Sequence, residues 1–312
     1  MKTVLITGGT GLVGTALTRV LLQKGYHVII LTRDPKKYTA VGAFGNQVTY
    51  AAWDVSAQIL DIGALLQADY IIHLAGAGVM EKRWTEAYKK EIVDSRVNSS
   101  KLLMDTLAAH DHHVKALISA SAIGWYGPDT AESLIDGFTE DAPAANNFLG
   151  ETCRLWEASS LPAEKLGIRR VCIRVGIVLA KEGGALAEFK KPIRLGVAAI
   201  LGSGKQIVSW IAIEDLCEIF CFALENESMH GSYNAVAPNP VSNKTLTVDL
   251  AKAIKGKWWL PMRVPAFVLK IVLGEGSTEV LKSTTASSQK IEMAGYHFKL
   301  PAIEEAIQKL VK

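Results

Sequence analysis

Cysteine is scarce in this chain: 4 in 312 residues, at Cys153, Cys172, Cys217 and Cys221, with no C-x-x-C pair. Cys217 and Cys221 could share a helix face, but the run around them (215–224) reads as an amphipathic core helix. All four are therefore expected as small buried hydrophobes in a reduced, cytoplasmic setting. Long apolar runs are also lacking. The longest, 264–273, is interrupted by Pro265 and Lys270 and is too short to span a bilayer. The first strand begins at Lys2, so no signal peptide is expected. Charge of one sign is missing as well: 34 basic residues are scattered among 31 acidic ones, for a net charge of +3. That balance gives no electrostatic footprint for nucleic acid. Charged residues make up 21% of the chain and hydrophobic ones 49%, which argues against disorder. What remains is a soluble cytoplasmic protein without a nucleic-acid or membrane partner, folded as one large domain or as a domain plus a lobe.

The first two-thirds of the chain alternates short apolar runs with amphipathic stretches. Strands are expected at 4–7, 27–31, 48–51, 70–74, 116–119 and 170–174, and helices at 14–24, 59–66, 89–110 and 150–166. Several strands are too continuously apolar to be half-exposed, which is the pattern of a parallel sheet covered on both faces. Alternating strands and helices imply right-handed crossovers and a doubly wound α/β sheet. After Gly176, Gly183-Gly184, Gly202-Ser203-Gly204 and Pro238-Asn239-Pro240 punctuate shorter elements. Helices at 214–224, 248–254 and 303–310 and a strand at 231–236 are expected there. The reading is an α/β fold: a dinucleotide-type domain over 1–176, to which 205–236 returns, and a smaller C-terminal substrate lobe over 177–312.

Residues 2–14 read K-T-V-L-I-T-G-G-T-G-L-V-G. A buried strand runs into Gly8, Gly11 and Gly14, and a helix follows. Gly8 permits the tight turn, Gly11 lets the backbone approach a pyrophosphate, and Gly14 lets helix and strand pack closely. The unpaired N–H groups at the helix start suit phosphate. A glycine triplet alone is weak evidence; its place between strand and helix gives it meaning as a Rossmann-type site. The second strand ends Leu31-Thr32-Arg33-Asp34. A carboxylate at this point would bind a ribose 2′-hydroxyl. Thr32 and Arg33 stand there instead, and a guanidinium suits a 2′-phosphate, which favours NADP(H). Asp34 follows immediately, and Arg33 as a plain solvated charge is the competing reading.

The glycine loop, His73-Leu74-Ala75-Gly76 and Ser119-Ala120-Ser121 resemble extended short-chain dehydrogenase/reductases, a branch of the NAD-dependent epimerase/dehydratase superfamily. More specifically, Arg83-Trp84-Thr85, Ser95-Arg96, Trp156-Glu157, the run 174–179 (R-V-G-I-V-L) and the tail Ala294-Gly295-Tyr296-His297-Phe298 resemble the atypical YfcH-like "epimerase family". The resemblance covers essentially the whole chain. It implies that Gly8, Thr10, Gly11, Leu12 and Val13 line the pyrophosphate and that Thr32 and Arg33 hold the 2′-phosphate. Asp54 would sit near the adenine, and Leu74, Ala75 and Gly76 would pass beneath ribose and diphosphate. Arg96, with Glu91 one turn earlier, would face the cofactor, and Val178 would lie near the nicotinamide. A solvated helix face with an intrahelical ion pair is the alternative for Glu91 and Arg96.

The family's catalytic serine has its match in Ser121, but its Tyr-x-x-x-Lys pair has none. Leu149 and Cys153 stand at those positions when Glu157 sets the register. Tyr126 is a candidate replacement acid, although a pocket-wall role suits it too. His73 is expected as a satisfied strand residue, and His110, His112 and His113 as a solvated helix end; no metal site is expected. Arg83 and Trp84 suit either an anionic or ring-bearing ligand or a structural anchor. Two functions follow. One is an NADP(H)-dependent oxidoreductase or epimerase with a nonstandard proton donor, acting on an unidentified small molecule. The other is an NADP(H)-binding sensor or interaction protein without turnover. A homodimer is compatible with both.

Overall fold

The computed structural model describes residues 1–41 and 44–311. Its strands are Thr3–Thr7 (β1), His27–Thr32 (β2), Val48–Asp54 (β3), Ile59–Leu60 (β4), Tyr70–His73 (β5), Ala116–Ala122 (β6), Arg169–Val175 (β7), Ile177–Ala180 (β8), Val197–Leu201 (β9), Ile207–Val208 (β10), Trp210–Ala212 (β11), Gly231–Ala235 (β12), Val241–Ser242 (β13) and Leu260–Val264 (β14). Its helices are Leu12–Gln23 (α1), Pro35–Val41 (α2), Ile62–Leu66 (α3), Glu86–Ala108 (α4), Ser133–Asp136 (α5), Phe148–Ser159 (α6), Pro162–Lys165 (α7), Gly184–Arg194 (α8), Ile213–Glu225 (α9), Asn243–Lys255 (α10), Ala266–Leu273 (α11), Ser277–Leu281 (α12), Gln289–Met293 (α13) and Ile303–Val311 (α14).

An 8-stranded sheet runs in the order β12-β7-β6-β5-β1-β2-β3-β4. Every neighbouring pair is parallel except β3 with β4. The order reverses beside β1, and ligands of doubly wound sheets bind outside the strand ends at such a switch. Alternation along β1 shows why the strands read as unbroken apolar runs: Val4 and Ile6 enter one core, Leu5 the other. One face is covered by α1, through Leu17 and Leu21, and by α9, through Leu216, Phe220 and Leu224. The opposite face is covered by α3 and α4, through Leu65, Leu103 and Leu107. A third cluster, with Leu186, Trp210, Leu246, Leu250, Ile303 and Ile307, packs α8, β11, α10 and α14 together.

Two expected helices differ. The helix expected over 59–66 starts only at Ile62. Ile59–Leu60 pairs antiparallel with Trp53 and Asp54, and Asp61 then caps α3 by accepting from the Ala64 amide at 2.9 Å. The helix expected over 150–166 ends at Ser159, because Pro162 cannot donate into a continuing helix and instead opens α7. The specific tail motif also has a physical role. Asp215 of α9 accepts from the Tyr296 hydroxyl at 2.8 Å and from the amides of Lys299 and Leu300, which ties the C-terminal segment to the sheet-covering helix. Among the described residues no helix is long and apolar enough to cross a membrane.

Candidate functional site

β1 delivers Thr7 to the sheet's carboxyl edge, where the glycine loop begins. The Thr7 hydroxyl accepts from the Leu74 and Ala75 amides at 3.2 Å each, holding the turn after β5 beside the loop. Gly8 has φ +69°, and a side chain there would come within 2.9 Å of the Leu74 carbonyl carbon. Gly14 is under the same constraint, since a Cβ would lie 2.3 Å from the Gly8 oxygen. By contrast, above Gly11 a Cβ would meet nothing nearer than that oxygen at 3.4 Å. Gly11 is also the N-cap of α1 and provides no side-chain cap. Exposed Thr10 and Gly11, half-buried Leu12 and Val13, and uncapped amides at a helix start make an open cradle that fits a pyrophosphate. The Gly183-Gly184 turn closes against it, within reach of the Leu12 methyls.

At the end of β2, Thr32 is buried and its hydroxyl accepts from the Asp34 amide at 3.4 Å. The Asp34 carboxylate is engaged locally, accepting from the Lys37 amide at 3.0 Å in the first turn of α2. Arg33 is exposed, with no hydrogen bond or ion pair to another described residue. Asp54 ends β3 and accepts from the Ser56 and Ala57 amides in a tight turn.

Glu91 and Arg96 are not brought together. Glu91 is exposed and pairs with Lys82 at 3.1 Å. Arg96 is 8% exposed, and its Nη1 donates to the carbonyls of Ala77 and Ile92 at 2.9 Å each. Its guanidinium lies 4.8 Å from the Trp156 ring centre and fills the space where Gly76 has no side chain. This brings a buried cation to the turn that carries Leu74, Ala75 and Gly76. Val178 lies on β8, opposite Ile211 of β11.

Ser121 and Tyr126 do not face an open cleft. Ser121, 2% exposed, donates to Glu157 Oε1 at 2.7 Å. Tyr126, 1% exposed, donates to Asn234 Oδ1 at 2.7 Å and accepts from Arg174 Nη1 at 3.0 Å. Burial pushes the phenol up to about 12. Glu157 also accepts from Ser232 at 2.9 Å, and the Arg174 guanidinium stacks 3.7 Å from the Trp125 ring centre. In the sequence, Glu157 and Arg174 stand out only as register and resemblance markers. Their separation in the chain hides that α6 brings Glu157 onto Arg174 of β7. Serine and tyrosine before Glu–Arg partners was the one available signal, and it does not specify which way a hydroxyl turns.

On α6, Leu149 and Cys153 pack against Gly124, where a Cβ would stand 3.3 Å from the Leu149 Cβ and 3.6 Å from the Cys153 sulfur. Burial pushes the Cys153 thiol up to about 12, so it stays neutral at physiological pH. All four cysteines are buried and free. His73 is buried between the Thr7 hydroxyl (2.7 Å) and the Ser99 hydroxyl (3.2 Å), as a satisfied strand residue. Trp84 is an anchor: its Nε1 donates to the Val79 carbonyl at 2.8 Å and its ring meets Phe148 edge-on. Arg83 projects from the same loop toward Gly274. Among the described residues no group of three metal-ligating side chains is found.

Residues 4–235 match the NAD dependent epimerase/dehydratase family, and residues 264–310 match a domain of unknown function, DUF1731. The chain belongs to the NAD dependent epimerase/dehydratase family. Within it, the chain is 35% identical over 307 residues to the epimerase family protein YfhF of Bacillus subtilis, covering 98% of this chain and 97% of that protein. The crystal structure of human epimerase family protein SDR39U1 (isoform 2) with NADPH superposes with a TM-score of 0.85 at 28% identity, covering 99% of both chains. A nucleoside-diphosphate sugar epimerase from Corynebacterium glutamicum matches with a TM-score of 0.76 at 32% identity, over 99% of this chain and 58% of that one. This family member is thus an atypical extended short-chain dehydrogenase/reductase with a Rossmann-type fold.

Proposed function

We propose that this chain is a cytoplasmic NADP(H)-dependent oxidoreductase or epimerase of the atypical extended type, acting on a small molecule without the Tyr-x-x-x-Lys pair. The observation that carries the cofactor half is the pair at the end of β2: Asp34 Oδ1 accepts from the Lys37 amide, turning that carboxylate into the start of α2, while the Arg33 side chain has no partner among the described residues and can meet a 2′-phosphate. The NADPH carried by the human relative supports the same reading. When bound, the nicotinamide supplies a hydride. The chain's own residues would do the rest. Leu12 and Val13 offer amides to the pyrophosphate where Gly11 leaves room for it, Arg33 and Thr32 receive the 2′-phosphate, and Asp54 borders the adenine. Arg96 sets a cation beside Leu74–Gly76, and Val178 walls the nicotinamide end.

The proton half changes from the sequence expectation. Tyr126 is reassigned from proton donor to positioning residue, because its hydroxyl is consumed by Asn234 and Arg174 and its phenol is held protonated. Ser121 acts through Glu157 to fix the loop that follows β6. Those internal hydroxyls, with Leu149 and Cys153 at the dyad positions, favour the second reading: a protein that binds NADP(H) without turnover. Calorimetry with NADPH and NADH tests the cofactor half; equal affinities would overturn it. Substrate-dependent exchange of the nicotinamide C4 hydrogen separates the two readings. Exchange with any carbonyl substrate supports the enzyme, and failure across a broad carbonyl panel with NADPH bound supports the binding protein.

A further inference from the structure

Exposed large hydrophobic residues are not spread evenly over this surface. Trp258, Leu260, Met262, Phe267, Ile271 and Val272 fall within one stretch of chain, and their exposures run from 53% to 86%. Leu195, 85% exposed, joins them, because the Leu260 amide donates to the Gly196 carbonyl at 2.8 Å. The stretch has defined structure. Among the described residues β14 pairs only with β9, in a 2-stranded sheet that leaves its other edge without a strand partner. α11 buries Leu269 and turns Phe267 and Ile271, spaced i and i+4, outward with Lys270. Single exposed hydrophobics need no explanation, whereas a cluster of this density marks a contact surface.

The charges say what kind of contact. From 250 to 274 the chain carries Lys252, Lys255, Lys257, Arg263 and Lys270 and no Asp or Glu. Lys252 pairs with Asp249 at 3.0 Å. The other four make no side-chain hydrogen bond or ion pair with another described residue, and neither does exposed Arg194 beside Leu195. A two-fold contact between copies would set these unpaired cations against their own equivalents. An anionic bilayer surface instead offers phosphates to the cations and an acyl boundary to the apolar side chains, and tryptophan favours that interface.

We propose that the β14–α11 segment adsorbs to an anionic membrane surface, with Trp258, Phe267 and Ile271 entering the headgroup region and Lys255, Lys257, Arg263 and Lys270 pairing with lipid phosphates. The expectation of no membrane partner rested on the absence of a spanning segment, and this contact needs none. The carboxyl end of α11, Val272 and Leu273, lines a cavity with Met80, Arg83 and Trp84, so adsorption brings that cavity beside the lipid.

The test is sedimentation of the full chain with phosphatidylcholine vesicles carrying about 30 mol% phosphatidylglycerol, against pure phosphatidylcholine vesicles. Binding should be at least about tenfold stronger to the anionic vesicles and should fall steeply with salt. Two variants separate the contributions, Lys257→Glu/Arg263→Glu/Lys270→Glu and Phe267→Ser/Ile271→Ser. All changes are at exposed positions, and unchanged thermal melting verifies the fold. Both variants should lose most of the vesicle-bound fraction. Wild-type protein left in the supernatant, or binding that survives the charge reversals, overturns the proposal. A dimer in light scattering that Phe267→Ser/Ile271→Ser dissociates, with no vesicle binding, assigns the surface to a second copy and overturns it equally.

Discussion

The carboxylate of Glu157 grips the guanidinium of Arg174 at two points, from Nε at 2.8 Å and from Nη2 at 3.1 Å, with the two side chains 10% and 3% exposed. The pair sits where α6 passes β7. Through Ser121, Tyr126 and Ser232 it joins β6, the loop after it and β12. Glu157→Gln would leave a buried cation uncompensated, and a loss of about 3–5 kcal/mol in unfolding free energy is expected from denaturant titration. Adding Arg174→Met should recover a large share of it. A double variant as unstable as the single one would mean that the pair is not the source of the loss.

Tyr126→Phe removes one donor and leaves the Asn234 oxygen without that partner. The expected cost is about 1–3 kcal/mol of stability, with NADPH affinity unchanged. A large loss of turnover at unchanged stability would return Tyr126 to the chemistry.

Arg33→Ala tests cofactor selection. Charge-assisted hydrogen bonds to a phosphate are each worth about 1.5–3 kcal/mol, so NADPH affinity should fall about 10- to 100-fold while NADH affinity stays level. Calorimetry on both cofactors reads this directly.

Gly14→Ala places a methyl 2.3 Å from the Gly8 oxygen and 2.5 Å from the Gly9 Cα. Backbone on both sides cannot move as a flexible side chain would. About 1–3 kcal/mol of destabilisation is expected, together with weakened cofactor binding from a displaced loop. Thermal melting with and without NADPH measures both.

His73 gives a pH dependence with a definite sign. Burial, and then the charge of Arg96, lowers it from 6.5 to about 4. The unfolded chain therefore binds this proton first. The contribution is full above pH 6.5, declines as pH falls from 6.5 toward 4, and amounts to at most about 3 kcal/mol. His73→Gln should flatten the stability profile in that window. Equal slopes in chemical denaturation at pH 4.5 and 6.5, for variant and parent, would contradict the assignment.

Much of the fold was legible because its signals are local. Val4 to Ile6 and Tyr70 to Ile72 are continuous apolar runs, and covering a parallel sheet on both faces requires that. Gly14 answers to sterics within its own loop, where a Cβ would stand 2.3 Å from the Gly8 oxygen. The two misread helices failed for local reasons with weak signals, a two-residue antiparallel pairing ahead of Asp61 and a proline placed just past a helix end. The tail motif carries Tyr296, whose hydroxyl donates to Asp215, so a signal legible in the sequence coincides with a tertiary contact.

What the chain's order by itself determined is therefore the doubly wound sheet, the glycine turn between β1 and α1, and Thr32 and Arg33 at the end of β2. Only the tertiary structure decided the directions of the polar side chains at the sheet's far end. Ser121 reads as a catalytic hydroxyl, and Tyr126 as an acid or a pocket wall, until Glu157, Arg174 and Asn234 arrive from three other elements to bond them. It likewise decided that Glu91 reaches Lys82 while Arg96 turns inward to Gly76. Hydrogen bonds and ion pairs are satisfied by whichever partner the packing brings within about 3 Å, and spacing along one element cannot reveal partners that lie on another.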